Sequence, residues 1–383
     1  MRVWIEAPFD CLPIEGYRKQ RYWMMAEAFV AAGHEVVYWT SDFSHAEKKK
    51  RWLVGAEKPF DLELIPTLPY ASNVSLMRIR SHRAYAREWE RCVECRLKGG
   101  LEPPDVMICS LPPISTGLVA IRLARRFNAR LVIDMQDAWP ETFYRLLPKG
   151  FRWLGRLLFS GLHRSVRKIC RAADLVTGVC DRYGDLVREY GAKAYYRAYL
   201  GIELWNAGRQ KPSETEPLRL VYVGNLGKSY DLDTVVEGVR ILNEKNHGRR
   251  VTLDVAGFGG HLVTDENVSC HGMLNQEELH KLMASCEIGI IPMRSDSFVG
   301  LPNKLGEYAA AGLKVVSSLA GETERLISEF GCGESYQPGD ARSFATAVLK
   351  AEALSTDGSL RLARERLSSV GIYRDYVTRI CAL

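Results

Sequence analysis

Nowhere in this sequence is there an apolar run approaching the ~20 residues that a membrane-spanning helix needs, which argues against an integral membrane chain. The first residues, MRVWIEAPFD, put acids and a proline where an export signal needs an apolar core, so the expected location is the cytoplasm. A disulfide framework is missing as well: the 10 cysteines are scattered, as isolated buried thiols are in large intracellular proteins. Cys92-x-x-Cys95 lies in a charged helical stretch without a second pair, which speaks against structural zinc. Short repeats and low-complexity tracts are also lacking, so a solenoid or a disordered tail does not fit. What is present is core-forming material: 383 residues, 46% hydrophobic and 26% charged, enough for two domains at roughly 100 to 200 residues each. The formal charge of +6 is mild but uneven. Residues 1–200 hold 32 Lys and Arg against 22 Asp and Glu, and the remainder holds 20 against 24. The first half is therefore the part expected to meet a polyanion or an anionic membrane surface.

Short runs rich in β-branched residues alternate with stretches at helical spacing, the pattern of parallel α/β units. The strand-like runs of the first half are RVWIEAP, EVVYWTS, LELIPT, DVMICSLPP, RLVIDMQ and LVTGVC. Helices are expected between them over residues 17–32, 75–97, 116–128 and 151–173. A polar, proline-containing stretch at 201–217 reads as a linker, and LRLVYVGN, VTLDVAGF, NVSCHG, IGIIPM and KVVSS form a second series. The expected architecture is α/β, with two tandem Rossmann-like doubly wound domains at 1–200 and 218–365. A last helix, 366–383, is expected to cross back to the first domain. Ligands of such sheets sit beyond the carboxyl ends of the strands, so a cleft between the domains is the natural site.

The most informative stretch is SFVGLPNKLGEYAAAG, residues 297–312, ahead of the strand LKVVSS. Pro302 suits the first position of a helix, and the free N–H groups of Asn303 and Lys304 behind it favour phosphate. Lys304 adds a mobile positive charge. Glu307, one turn on from Asn303, is an acceptor able to take both hydroxyls of a ribose. Together these suit a nucleoside diphosphate, although a capped helix with a solvent-facing Lys–Glu pair fits the same letters. In VGNLGK, residues 223–228, Gly224 allows a backbone to approach a pyrophosphate, with Asn225 beside it and Lys228 as a second cation. Gly257 opens GFGG, which lacks the full spacing of a dinucleotide fingerprint. Asp231-x-Asp233 fits a helix cap better than a metal site. In the first half, Asp137, Trp139 and Glu141 should stand at a strand's carboxyl end, with Asp137 either a polar contact that orients an acceptor hydroxyl or a cap of the next turn. Gly16 allows close approach in the first strand-to-helix loop, where Arg18, Lys19 and Arg21 could meet an anionic acceptor. Residues 149–171 read as one basic amphipathic helix, with Phe151 and Trp153 among Arg152 and Arg156, able to rest on an anionic leaflet or simply to pack as a core helix.

The 297–312 stretch resembles the donor site of GT-B retaining glycosyltransferases of family 4, in the bacterial branch that writes Pro-Asn-Lys-Leu-x-Glu-Tyr before a strand. AAGHEVVYWTS, DVMICSLPP, IDMQDAWPE, ADLV, VYVGNLG, VAGFGG and HGMLNQEELHKLMASCEIGIIPM resemble further family elements in the right order and cover most of the chain. The resemblance implies a GT-B fold and transfer of a sugar from a nucleotide sugar, UDP-linked, to a lipid-linked saccharide in bacterial surface-polysaccharide synthesis. The enzyme would sit peripherally at the inner face of the plasma membrane. It assigns Glu307 to the ribose, Lys304 and Lys228 to the departing diphosphate, and Gly272, Met273 and Leu301 to the donor pocket. It implies no metal cofactor and no nucleic-acid partner. Of the family's two glutamates separated by seven residues only Glu307 is present, because Val299 occupies the first position, and a histidine often found near Gln136 is missing. A sugar-nucleotide epimerase, an inverting transferase and a non-catalytic partner protein share the architecture and stay open.

Overall fold

The computed structural model describes residues 1–51, 58–205, 216–227, 229–245, 248–259, 265–295, 297 and 299–383. The chain divides into two compact units: Met1–Ala198 together with Tyr373–Leu383, and Tyr199–Ile372. The first is built on seven parallel strands, β1 (Arg2–Glu6), β2 (Glu35–Ser41), β3 (Asp61–Ile65), β4 (Val106–Leu111), β5 (Arg130–Met135), β6 (Leu175–Gly178) and β7 (Tyr195–Arg197). Their order is β3-β2-β1-β4-β5-β6-β7. β4 is buried along its whole length and β1 and β5 from their second residues on, as expected of strands covered by helices on both faces. The helices are α1 (Arg21–Ala31), α2 (Leu76–Lys98), α3 (Ile114–Phe127), α4 (Ser160–Ala172) and α5 (Asp181–Glu189). α2 is the longest, and the Ser75 hydroxyl caps it by accepting from the Arg78 N–H at 3.1 Å.

The second unit repeats the plan with β8 (Leu218–Val223), β9 (Val251–Ala256), β10 (Val268–Gly272), β11 (Ile288–Ile291), β12 (Lys314–Ser317) and β13 (Gly333–Ser335), in the order β10-β9-β8-β11-β12-β13. Its helices are α6 (Leu232–Glu244), α7 (Gln276–Ala284), α8 (Asn303–Ala310), α9 (Glu322–Phe330), α10 (Ala341–Glu352) and α11 (Asp357–Leu362). The core between β8, β9 and the pair α6 and α10 is filled by Leu220, Tyr222, Val235, Val239 and Phe344. The last turns of α12 (Ser369–Cys381) belong to the first unit, where Tyr376 Oη lies 3.3 Å from Thr177 Oγ1.

Two expected helices are altered. The first begins at Arg21 rather than Tyr17, because Gln20 is extended at φ −108° and ψ 175°. The second, over 151–173, is broken: a 3-10 segment, Lys149–Leu154, leads into a single turn, Gly155–Leu158, and Phe159 separates that turn from α4. Tyr144 stacks on Phe159 at 6.2 Å and holds this corner in place. The apolar residues of the expected amphipathic helix therefore separate into two groups. Val166 and Ile169 are buried, whereas Phe151, Trp153, Leu157 and Leu158 are 57%, 76%, 71% and 60% exposed. No helix among the described residues is long and apolar enough to cross a membrane.

A buried carboxyl ends β1. Glu6 is 1% exposed and accepts from the Cys109 thiol at 3.0 Å, and burial pushes its pKa up to about 8. The folded state thus holds a proton that the unfolded chain has released, so this group's contribution is complete below pH 4.5 and falls as pH rises towards 8. Each unit in that window costs about 1.4 kcal/mol at most. Urea unfolding of Glu6→Gln should show a smaller loss of stability between pH 5 and 8 than the parent; parallel pH profiles would contradict the assignment.

Candidate active site

In the second unit the order of strands reverses between the neighbours β8 and β11, so the chain leaves them in opposite directions and a crevice opens beyond their carboxyl ends. Segments after β8, β9 and β11 and the start of α8 converge there. Pro302, with φ −81° and ψ 144°, is the N-cap of α8, one position earlier than expected, and it carries no side-chain acceptor for the first-turn N–H groups. Those donors point out of the helix, as anion sites do. Leu301 just before it is buried.

Lys304 is the second residue of α8 yet only 8% exposed. Its Nζ lies 4.1 Å from the centroid of Tyr230 and 5.0 Å from that of Tyr222. A Cβ placed on Gly224 would stand 2.8 Å from the same nitrogen. The ammonium is thus wedged at the end of β8 between two ring faces, each a weak attraction of about 0.5–2 kcal/mol that does not neutralise its charge. A hydrogen bond fixes one ring, Tyr222 Oη donating to the Asn225 carbonyl at 2.5 Å, and the end of β8 is tied to α8 by Tyr308 Oη, which accepts from the Val223 N–H at 3.0 Å. Loop joins loop through Gly224 N–H to the Ala256 carbonyl at 2.8 Å, Leu226 N–H to the Phe258 carbonyl at 3.0 Å and Gly257 N–H to the Gly272 carbonyl at 2.7 Å. Phe258 and Met273, at the ends of β9 and β10, are 55% and 74% exposed and offer apolar surface suited to a flat ring.

Glu307 is half-buried, one turn into α8 from Asn303, and its charge reaches His280. The His280 ring stacks on Trp205 at 3.8 Å, and burial holds its pKa below the usual value against the pull of Glu307. Val299 is held by its N–H to Ser297 Oγ at 3.4 Å. Asp231 is the N-cap of α6 and accepts from Thr234 Oγ1 at 2.8 Å. Lys228 lies outside the described residues.

In the first unit Asp137, Trp139 and Glu141 follow β5. The Asp137 carboxylate accepts from Trp139 Nε1 at 3.0 Å and Thr142 Oγ1 at 3.2 Å, and burial raises its pKa. Glu141 is turned inward to the Tyr190 hydroxyl at 2.5 Å, with burial raising its pKa too. Gly16 closes a 3-10 turn at φ 85°, and Lys19 pairs with Glu27 at 3.0 Å. Arg18 has a polar or charged partner within the fold. Arg21 is not a surface cation: it makes a bidentate pair with Asp134 at 2.9 and 2.8 Å, 3% and 0% exposed. Sequence reasoning missed Tyr222, Tyr230 and Phe258 in the second unit. It also missed Arg78 in the first, whose guanidinium carbon lies 5.2 Å from the Trp139 ring. The only signal for the tyrosines was their placement at a strand end and in the loop that follows.

Residues 19–200 match the family model described as a glycosyl transferase 4-like domain, and residues 217–353 the model described as glycosyl transferases group 1. The amylovoran biosynthesis glycosyltransferase AmsK of Erwinia amylovora is 28% identical over 148 residues, 35% of this chain. The alignment spans about a third, 36%, of that relative's length. Among solved structures, a sucrose-phosphate synthase from Thermosynechococcus elongatus aligns over 100% of both chains with a TM-score of 0.71 at 13% identity. HepE of Anabaena, solved with UDP-glucose, aligns over 100% of both with a TM-score of 0.65 at 13% identity. These likenesses establish the GT-B fold.

A Cβ at Gly257 would lie 1.8 Å from the Gly224 carbonyl oxygen, whereas at Gly224 the obstacle is the end of a lysine chain. Both positions have positive φ, 153° and 134°. Gly257→Ala should therefore cost about 2–4 kcal/mol in urea unfolding and more than Gly224→Ala, because backbone cannot step aside. The reverse ranking would show that the two loops are not packed in this way.

Proposed function

We propose that this chain, which belongs to the glycosyltransferases, moves a hexose from a UDP-sugar to a lipid-linked saccharide acceptor with retention of anomeric configuration, in surface-polysaccharide synthesis. The observation that carries the reading is the Lys304 ammonium, held among tyrosine rings at the N-terminus of α8. A diphosphate in this crevice would meet that charge and the first-turn N–H groups together. The name of the Erwinia relative supports a role in exopolysaccharide synthesis, and the UDP-glucose bound to HepE supports the donor class.

In this reading Glu307 accepts from the ribose hydroxyls, Phe258 and Met273 flank the base, and the diphosphate lies across Gly224 and Asn225. As the bond from the anomeric carbon to the diphosphate oxygen breaks, negative charge grows next to Lys304. Its ammonium is already placed, so stabilisation needs no rearrangement at that moment. The acceptor oxygen forms its bond to the anomeric carbon on the same face, and its proton passes to an oxygen of the departing diphosphate. That route requires neither a protein nucleophile nor a metal ion. Asp137 and Trp139 belong to the acceptor side. The exposed Phe151, Trp153, Leu157 and Leu158 beside Arg152 and Arg156 form a face fitted to an anionic leaflet, where a lipid-linked acceptor resides.

Lys304→Ala should lower kcat by about 10²–10³ with a smaller effect on UDP affinity, since its charge matters most in the transition state. Glu307→Ala should instead raise the donor KM about tenfold at nearly unchanged kcat, a uniform binding loss of about 1.4 kcal/mol. Steady-state kinetics with a UDP-sugar separates the two, and parent-like kinetics in Lys304→Ala refutes the assignment. For the membrane face, Arg152→Glu with Arg156→Glu should abolish co-sedimentation with phosphatidylglycerol vesicles; undiminished binding would remove that face from the proposal.

A further inference from the structure

Beyond the carboxyl ends of β1, β2, β3 and β4 lies a second crevice, lined by Pro8, Phe9, His45, Tyr70, His82 and Pro113 among others. Phe9 follows β1, His45 follows β2, Tyr70 follows β3 and Trp139 follows β5, while His82 stands on the second turn of α2. Phe9 lies 5.2 Å from His45 and 5.1 Å from His82, and His82 stacks on Trp139 at 5.7 Å. Arg78 sits in the middle. Its guanidinium carbon is 5.4 Å from the Phe9 ring, 6.0 Å from Tyr70 and 5.2 Å from Trp139.

The hydrogen-bond partners of this cation are uncharged. Arg78 Nη1 donates to the Asn73 carbonyl at 2.8 Å and Nε to His82 Nε2 at 3.3 Å. Lys48, with Nζ 4.8 Å from the Tyr70 ring, donates to Asn73 Oδ1 at 2.6 Å. Lys48 has a left-handed backbone at φ 58°, a costly conformation for a residue with a side chain, and it places the ammonium beside Arg78. The oxygens of Asp137, the nearest acid to act on Arg78, are occupied by Trp139 and Thr142. Four basic side chains thus share one partly dehydrated crevice. Burial and then repulsion from neighbouring cations push His45 and His82 down to about 4 and 3 and lower Lys48, while burial alone lowers Arg78 against the opposing pull of Tyr70 and Asp137. Such a cluster is stabilised by an anion, and the half-buried Trp139 ring beside it suits the apolar face of a pyranose.

We propose that the rim of this crevice is an acceptor subsite for an anionic saccharide, in which Arg78 and Lys48 bind a phosphate or carboxylate and the half-buried Trp139 ring carries the adjoining sugar ring, with Tyr70 and His82 buried beneath them. The inference rests on the reading of the chain as a glycosyltransferase and names the acceptor's chemistry. A phosphate would come from a sugar attached to its lipid carrier through phosphate, and a carboxylate from a uronic acid within the glycan.

The test is calorimetric titration of the full chain, with UDP saturating, using glucose 1-phosphate, glucuronate and methyl glucoside as probes. At least one anionic sugar should bind ten times more tightly than the neutral glucoside, and the better of the two identifies the source of the charge. Arg78→Gln should reduce that affinity at least tenfold, and Arg78→Lys should retain part of it. UDP titration of each variant reports folding and the donor site independently. Equal binding of charged and neutral sugars, or an Arg78→Gln protein that keeps the parent's affinity, overturns the proposal. Failure of UDP to bind the parent would instead count against the function on which it rests.

Discussion

Both halves of the molecule depend on one topological constraint: a parallel sheet whose strand order reverses at its centre. Parallel strands require a crossover between them, and right-handed crossovers leaving neighbouring strands in opposite directions cannot cover the strands' carboxyl ends. In the first unit the reversal falls between β1 and β4, and in the second between β8 and β11. The residues of chemical interest follow from that geometry. They are loop residues and helix starts that follow directly on buried strands, so the sheets fix where they emerge. Phe9 and Trp139 in one unit come from distant parts of the sequence to the edge of its sheet, and Gly224, Phe258 and Lys304 do the same within the other.

Three buried or half-buried cations show how environment decides what a charge does. Arg21 is satisfied: Asp134 holds it bidentately, Ala198 accepts a further bond at 2.9 Å, and Thr177 and Gln136 complete the carboxylate's shell. Burial alone would raise Asp134, but Arg21 beside it holds the carboxyl below its usual range. Such a pair locks α1 to β5 and has nothing left to offer a ligand. Lys304 and Arg78 are enclosed by aromatic rings instead. A ring face attracts a cation without neutralising it, so each retains a field that an incoming anion can cancel. The low dielectric that makes an unpaired charge expensive also makes its capture of an anion strong.

The sequence makes legible whatever is contiguous. The five strand-like runs of the second half correspond to β8 through β12, four of them buried apolar runs bounded by turn residues and the fifth, β10, a largely exposed edge strand. β7 and β13 escape notice, since edge strands of three residues carry no run long enough to register. The donor-side motif is legible because Pro302, Asn303, Lys304 and Glu307 fall within six consecutive residues. Its tyrosine partners are not, because Tyr222 and Tyr230 meet Lys304 only after β8 and α8 have been folded together across more than seventy residues. The break at Phe159 is hidden for a related reason. Helical periodicity runs on through 151–173, and it is Phe143 and Tyr144, from a separate turn, that pack on Phe159 at the corner. Arg78 and His82, four apart in a polar helix, read as a solvated face until Phe9, Tyr70 and Trp139 close over them.

The same reasoning explains why the basic excess of the first half is a poor guide until it is located. Many of its arginines are spent on exposed pairs: Arg122 meets Glu90 at 2.6 Å, Arg96 meets Asp61 at 2.7 Å and Arg2 meets Glu102 at 2.7 Å. Pairs of this kind contribute about 0–1 kcal/mol each, and their fields are screened within ~8–10 Å at physiological salt. The outward cations of α4, Arg164, Arg167 and Lys168, lie in high dielectric as well, and can act only together on a surface that is itself densely charged. Arg78 and Lys48 add no more to the total than any of these. Their weight comes from neutral neighbours and partial burial, where the same unit charge acts through a dielectric several times lower. The functional content of the charge imbalance therefore lies in the few cations that folding withdraws from water without giving them a carboxylate.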